Sequence, residues 1–173
     1  ESGSGQAKGI IREYEAFVAA CDADAECPLA PDSAKRIDDI ADRLDVEPIT
    51  VASDSKDSGD DEKALTKDQF ITGFITSLYD PSSADATLSA MDALGGDDDD
   101  RRDLGASYLL NLAGQQSSQR PDGTYGNGFE TQSVVNCLDA DSPLDGAEVA
   151  ELRRRIGPVP PLFDTPVAAD SPS

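Results

Sequence analysis

The stretch 66-TKDQFITGFITSLYDP-81 holds the most regular pattern in the chain. Thr66 stands three residues before Gln69, the spacing of a capping box in which each side chain satisfies the other's backbone N–H. Phe70, Ile71, Phe74, Ile75 and Leu78 then recur at intervals of three and four, which places them on one side of an α-helix. Pro81 cannot continue that helix, because it lacks an N–H and crowds the preceding turn. The spacing predicts a helix between Thr66 and Pro81 whose apolar face is the centre of a core.

Upstream, "QAKGIIREYEAFVAAC" (6–21) repeats the pattern, with Ile10, Tyr14, Phe17 and Cys21 in register and Ile11 and Val18 beside them. A helix starting at Ser33 as N-cap carries Ile37, Ile40, Ala41 and Leu44. "VEPITVA" (46–52) reads as a short extended piece that pairs locally or crosses the surface, and "SDSKDSGDDEKA" (53–64) as a polar loop. Downstream, "SSADATLSAMDALGG" (82–96) turns Leu88, Met91 and Leu94 inward and ends at Gly95 as its C-cap. "DDDDRRDLGASYLLNLAG" (97–114) begins with acidic residues that suit a helix N-terminus, offers Leu104, Tyr108 and Leu112 as the buried stripe, and stops at Gly114. Its four aspartates lack the spacing of an EF-hand calcium loop.

A loop with the turn signal Pro-Asp-Gly spans 115–128, followed by a short helix in "FETQSVVNCLD" (129–139) with Val134, Val135 and Leu138 apolar. The last helix has Ser142 as N-cap, Pro143 at its first position and Asp145 in its first turn, with Val149, Leu152 and Ile156 inward. Arg153, Arg154 and Arg155 occupy its final turn, where cations suit the dipole. The pattern is all-α: about six to seven short helices with long acidic loops. Residues 1–5 read as a linker or a leftover of expression, 6–157 as the helical domain, and the Pro-rich 158–173 as a linker leading elsewhere.

The charge narrows function. With 14 Lys and Arg against 35 Asp and Glu, the net charge is −21, which opposes binding to nucleic acid or to anionic membranes. No apolar run is long enough to span a bilayer. The chain has 0 histidines, which removes the commonest general base and the commonest zinc ligand, and it has no G-x-S-x-G elbow or P-loop. A self-contained enzyme built from carboxylates alone stays open, but nothing points to a specific pair, and no catalytic residue, metal site or cofactor is expected.

Three cysteines cannot all pair within one chain. Cys21 and Cys27 frame five residues at the end of the first helix, and a bridge there implies an oxidising, extracytoplasmic setting. A zinc site lacks further ligands. Cys137 is left over, either as a small buried hydrophobe or as the partner of a cysteine elsewhere.

Read together, "FVAACDADAECPL" (17–29), "ITSLYDP" (75–81) and "YGNGFETQSVVNCLD" (125–139) resemble, in order, the helical cap or lid of tripeptidyl-aminopeptidase-like α/β-hydrolases. The resemblance covers roughly residues 6 to 165, and the acidic loops around 53–63 and 95–103 depart from it. It implies a cap excised from a secreted or envelope-associated serine exopeptidase, inactive alone, whose catalytic domain lies on both sides of the cap. It further implies that Cys137 bridges to that missing domain. An aminopeptidase must hold a free ammonium, for which Glu130 and Asp139 are the candidates; otherwise both are ordinary first-turn or capping carboxylates. Tyr125 and Phe129 are expected to line the pocket, or to serve as core packing, and Asn127 to hold its turn. The implied partners are the catalytic α/β-hydrolase domain of the same parent chain and a peptide substrate with a free N-terminus. Two other readings stand beside it: a stand-alone acidic helical module that binds cationic ligands, and the lid of an esterase or lipase.

Overall fold

A computed structural model describes residues 2–51, 63–116 and 146–163. These residues form six α-helices and one two-stranded hairpin: α1 (Ser2–Ala23), α2 (Ser33–Val46), β1 (Ile49–Val51), β2 (Lys63–Leu65), α3 (Lys67–Leu78), α4 (Ala84–Gly95), α5 (Asp99–Gln116) and α6 (Gly146–Ile156). Single 3-10 turns lie at Pro81–Ser83 and Pro161–Phe163. Apart from the short strand pair, the described residues are all-α.

The capping box starts α3 as its sequence predicts: the Gln69 N–H donates to Thr66 Oγ1 at 3.3 Å and the Thr66 N–H to Gln69 Oε1 at 3.2 Å. Phe70 and Phe74 are fully buried, while Ile71, Ile75 and Leu78 are half-buried at the edges of the face. Phe74 is the hub of the aromatic core. Its ring lies 6.0 Å from that of Tyr14, 5.3 Å from Phe17 and 6.5 Å from Phe70. The first two are edge-on, the geometry favoured by the ring quadrupole.

α2 buries Ile37, Ile40, Ala41 and Leu44 as its period requires. Ser33, however, is not the N-cap. It is the first helical residue and fully buried; its N–H donates to the Asp22 carboxylate at 2.9 Å and its hydroxyl to the Val18 carbonyl at 3.3 Å, both on α1. A side chain eleven positions upstream therefore satisfies one of the orphan donors of α2. No local motif announces such a cap. The Cys21–Cys27 disulfide closes the intervening turn, with its two Cα atoms 5.3 Å apart.

The largest departure is the phase of α5. Leu104, expected in the buried stripe, is 72% exposed. Tyr108 and Leu112 are half-buried, and the inward face is Gly105, Ala106, Leu109 and Ala113. The reason is close approach. A Cβ on Gly105 would lie 2.6 Å from the Ala90 carbonyl oxygen of α4, and one on Gly73 of α3 would collide with the Leu109 carbonyl oxygen. α5 thus packs backbone-close on two helices through its small residues, turning its larger ones to the flanks.

The cap of α4 is Gly96, one residue beyond the expected Gly95. α5 runs past Gly114 to Gln116. β1 does find a local partner: it pairs antiparallel with β2, Ile49 opposite Leu65 and Val51 opposite Lys63, so the end of the acidic segment is a strand rather than loop. α1 begins at Ser2, within the stretch read as a linker, although no neighbouring atom comes within 4 Å of a Cβ placed at Gly5 or Gly9. After α6, Gly157 adopts φ 89° and its N–H bonds to the Arg153 carbonyl at 3.0 Å, the left-handed stop that glycine favours. The proline-rich continuation then returns to the core: Leu162 is buried and the Phe163 ring meets Tyr14 edge-on at 5.3 Å. Residues 158–163 are therefore part of the folded unit, because two apolar side chains among the prolines find a place in it.

Candidate functional site

The sequence places its candidate amine ligands, Glu130 and Asp139, its pocket residues Tyr125, Asn127 and Phe129, and Cys137 in the segment joining α5 to α6. That segment, residues 117–145, lies outside the described residues, as do the short helix expected over 129–139 and the caps Ser142, Pro143 and Asp145. The structure describes its two anchorages. α5 is fixed by its contacts with α3 and α4, and α6 packs against α1. At the C-terminal end of α6, Glu151 pairs with both Arg154 (2.6 Å) and Arg155 (3.1 Å).

Among the described residues the most perturbed carboxylate is Asp38 on α2, one of two consecutive aspartates that no sequence motif sets apart. It is half-buried, and its Oδ1 atom is sealed from solvent without a hydrogen-bond partner. Burial pushes its pKa up, helped by the neighbouring Asp42 and Asp39, while the Leu162 N–H and Lys67 partly oppose the shift. Burial first, and then the Asp38 charge, also push the Tyr14 hydroxyl up to about 12. Asp38 thus sits where α1, α2, α3 and the 158–163 strap converge. Neither cleft described below is lined by Asp38 or Tyr14, so this pair belongs to the packing of the strap.

An open groove of about 1180 Å3 runs between α2, β1 and the α4–α5 junction. Leu44, Ile49, Met91 and Leu94 supply its apolar floor. Its rim mixes signs, with Arg43 donating to the Leu94 carbonyl at the end of α4 (3.3 Å) and Arg101 pairing with Asp92 (3.4 Å). Those arginines are engaged in holding helix ends, and the mixture selects no particular ligand charge. A smaller cleft of about 350 Å3 lies beside the disulfide, between α1 and α4. No group of three or more His, Cys, Asp or Glu side chains among the described residues is arranged to hold a metal, and no described helix is long and apolar enough to cross a membrane.

The relatives of this chain are hydrolases. It is 29% identical over 163 residues to carboxylesterase B of Mycobacterium tuberculosis, an alignment covering 94% of this chain and 29% of that protein. It is 27% identical over 160 residues to serine protease Hip1 of the same organism, covering 91% of this chain and 29% of that protein. No family model matches the chain. The chain therefore spans about 29% of the length of these curated relatives. Distant homology to an esterase and a protease, carried by a helical segment, supports an α/β-hydrolase-related origin.

Proposed function

We propose that this chain is the substrate-gating lid of an extracytoplasmic serine exopeptidase of the tripeptidyl-aminopeptidase-like branch of the α/β-hydrolases. The observation that carries this reading is the alignment of nearly the whole chain, 94% and 91% of it, with under a third of two hydrolases. An all-α fold and the absence of histidine suit a segment that shapes a pocket while the nucleophile and base lie elsewhere. The disulfide is compatible with an oxidising compartment. Cys137 is the proposed bridge to the catalytic domain.

Glu130 is the first candidate for the substrate ammonium and Asp139 the second, with Tyr125, Asn127 and Phe129 shaping the pocket around them. A charge-assisted hydrogen bond of this kind contributes about 1.5–3 kcal/mol, roughly ten- to a hundredfold in KM. In the full-length hydrolase, Glu130→Gln is expected to raise KM for tripeptidyl anilides with a free amine and to leave the N-acetylated analogues little changed. Equal effects on both substrates would remove the amine site. Homology to a carboxylesterase supports a second reading, the lid of an esterase. Turnover of p-nitrophenyl esters without turnover of peptidyl anilides would select it.

A further inference from the structure

The cleft beside the disulfide pairs an apolar floor with a rim of one charge. Phe17 and Ala20 of α1 and Leu88 of α4 supply the floor; Asp24, Glu26 and Asp85 supply the rim. No lysine or arginine lines it. None of the three carboxylates enters an ion pair among the described residues; the pairs there are formed by Glu13, Asp39, Asp42, Asp92, Asp99 and Glu151.

The rim is also held in place. Asp24 donates its N–H to the Cys21 carbonyl (3.0 Å), accepts at its own carbonyl from the Cys27 N–H (3.0 Å), and accepts at Oδ1 from the Glu26 N–H (2.9 Å). The disulfide closes this turn, so Asp24 and Glu26 are presented on a stapled loop. Such preorganisation lowers the ordering cost of binding. Like charges around an apolar floor attract a ligand of the opposite sign whose centre is apolar. A second copy of this chain is a poor occupant, since two bodies of net charge −21 repel.

We propose that this cleft docks an extended peptide segment that places one aliphatic side chain between lysines or arginines. The aliphatic group enters the space of about 350 Å3 over Ala20, and the flanking cations meet Glu26 and Asp85. This does not rest on the lid reading, because it concerns binding by the chain itself.

The test is titration of the isotope-labelled 173-residue chain with acetyl-Gly-Lys-Leu-Arg-Gly-amide, followed by amide chemical shifts. Saturable shifts centred on Ala20, Leu88 and Ser89 are expected, weakened at least tenfold when the peptide leucine is replaced by serine. The double variant Glu26→Gln with Asp85→Asn should weaken binding at least tenfold. Ala20→Phe, which fills the cleft and keeps its charge, should do the same. Absence of binding, shifts centred elsewhere, or equal binding of the serine peptide or of Ala20→Phe would each overturn the proposal. The serine-peptide arm needs no variant to fold.

Discussion

Replacing Gly73 by alanine tests whether α5 is held by backbone contact. Alanine favours a helix interior over glycine by about 1 kcal/mol, so propensity alone predicts stabilisation. In the structure the added methyl would run into the Leu109 carbonyl oxygen, with the Leu109 carbonyl carbon at 3.2 Å and the Ala113 nitrogen at 3.5 Å. These are backbone atoms, which cannot rotate away as a side chain can. Relief requires moving α3 and α5 apart, and overpacking of this kind costs typically 1–3 kcal/mol, here taken at the upper end, ~3. The net is a loss of ~2 kcal/mol, or roughly 4–8 °C in Tm for a chain of this size. Gly9 on α1 is the internal control: no atom lies within 4 Å of a Cβ placed there, so Gly9→Ala should gain about 1 kcal/mol and 2–4 °C. Thermal unfolding of both variants, followed by circular dichroism, separates the two effects. If Gly73→Ala raised Tm as Gly9→Ala does, the close approach of α3 and α5 would be wrong.

Asp38 predicts a pH dependence of definite sign. Its folded-state pKa is raised by burial and by Asp42 and Asp39, so the contribution it makes to stability is fully present at acid pH and is lost as pH rises through the folded value. Asp38→Asn removes that loss while still offering an acceptor to the Leu162 N–H. Tm measured from pH 3 to 7 should therefore show a gap in favour of the variant that opens above the ordinary carboxylate range and closes below it. Removing the Cys21–Cys27 bridge, by a Cys21→Ser, Cys27→Ser double change, should cost about 2–3 kcal/mol on the loop-entropy model for residues six apart. Dithiothreitol should lower the Tm of the native chain and leave that of the double variant unmoved.

Much of the helical content was legible because the apolar period is strong where helices meet the core through large side chains. Phe70 and Phe74 on α3, and Ile37, Ile40, Ala41 and Leu44 on α2, are buried as their spacing requires. The same rule misplaced α5. There the inward positions are glycine and alanine, which contribute little to an apolar pattern, and the visible leucines pointed to a face turned by about one residue. The candidate ammonium ligands came from resemblance to a family motif, a source that carries no geometry. Asp38 and Asp22 carry no local signal for another reason: any one aspartate in a chain with 35 acidic residues acquires a role only from what the fold sets opposite it.

By itself the sequence determined where several helices start and what charge the chain carries. Helix starts written in neighbouring residues, such as Thr66 with Gln69, are local events, and a charge of −21 without histidine is a matter of composition. Tertiary structure decided how the helices meet. It chose the face α5 buries, gave α2 a cap from α1, and drew Leu162 and Phe163 out of a proline-rich tail into the aromatic core. The reason is range: caps and periods are read within about one helical turn, whereas backbone contact between helices and the sealing of Asp38 depend on residues brought together only by folding.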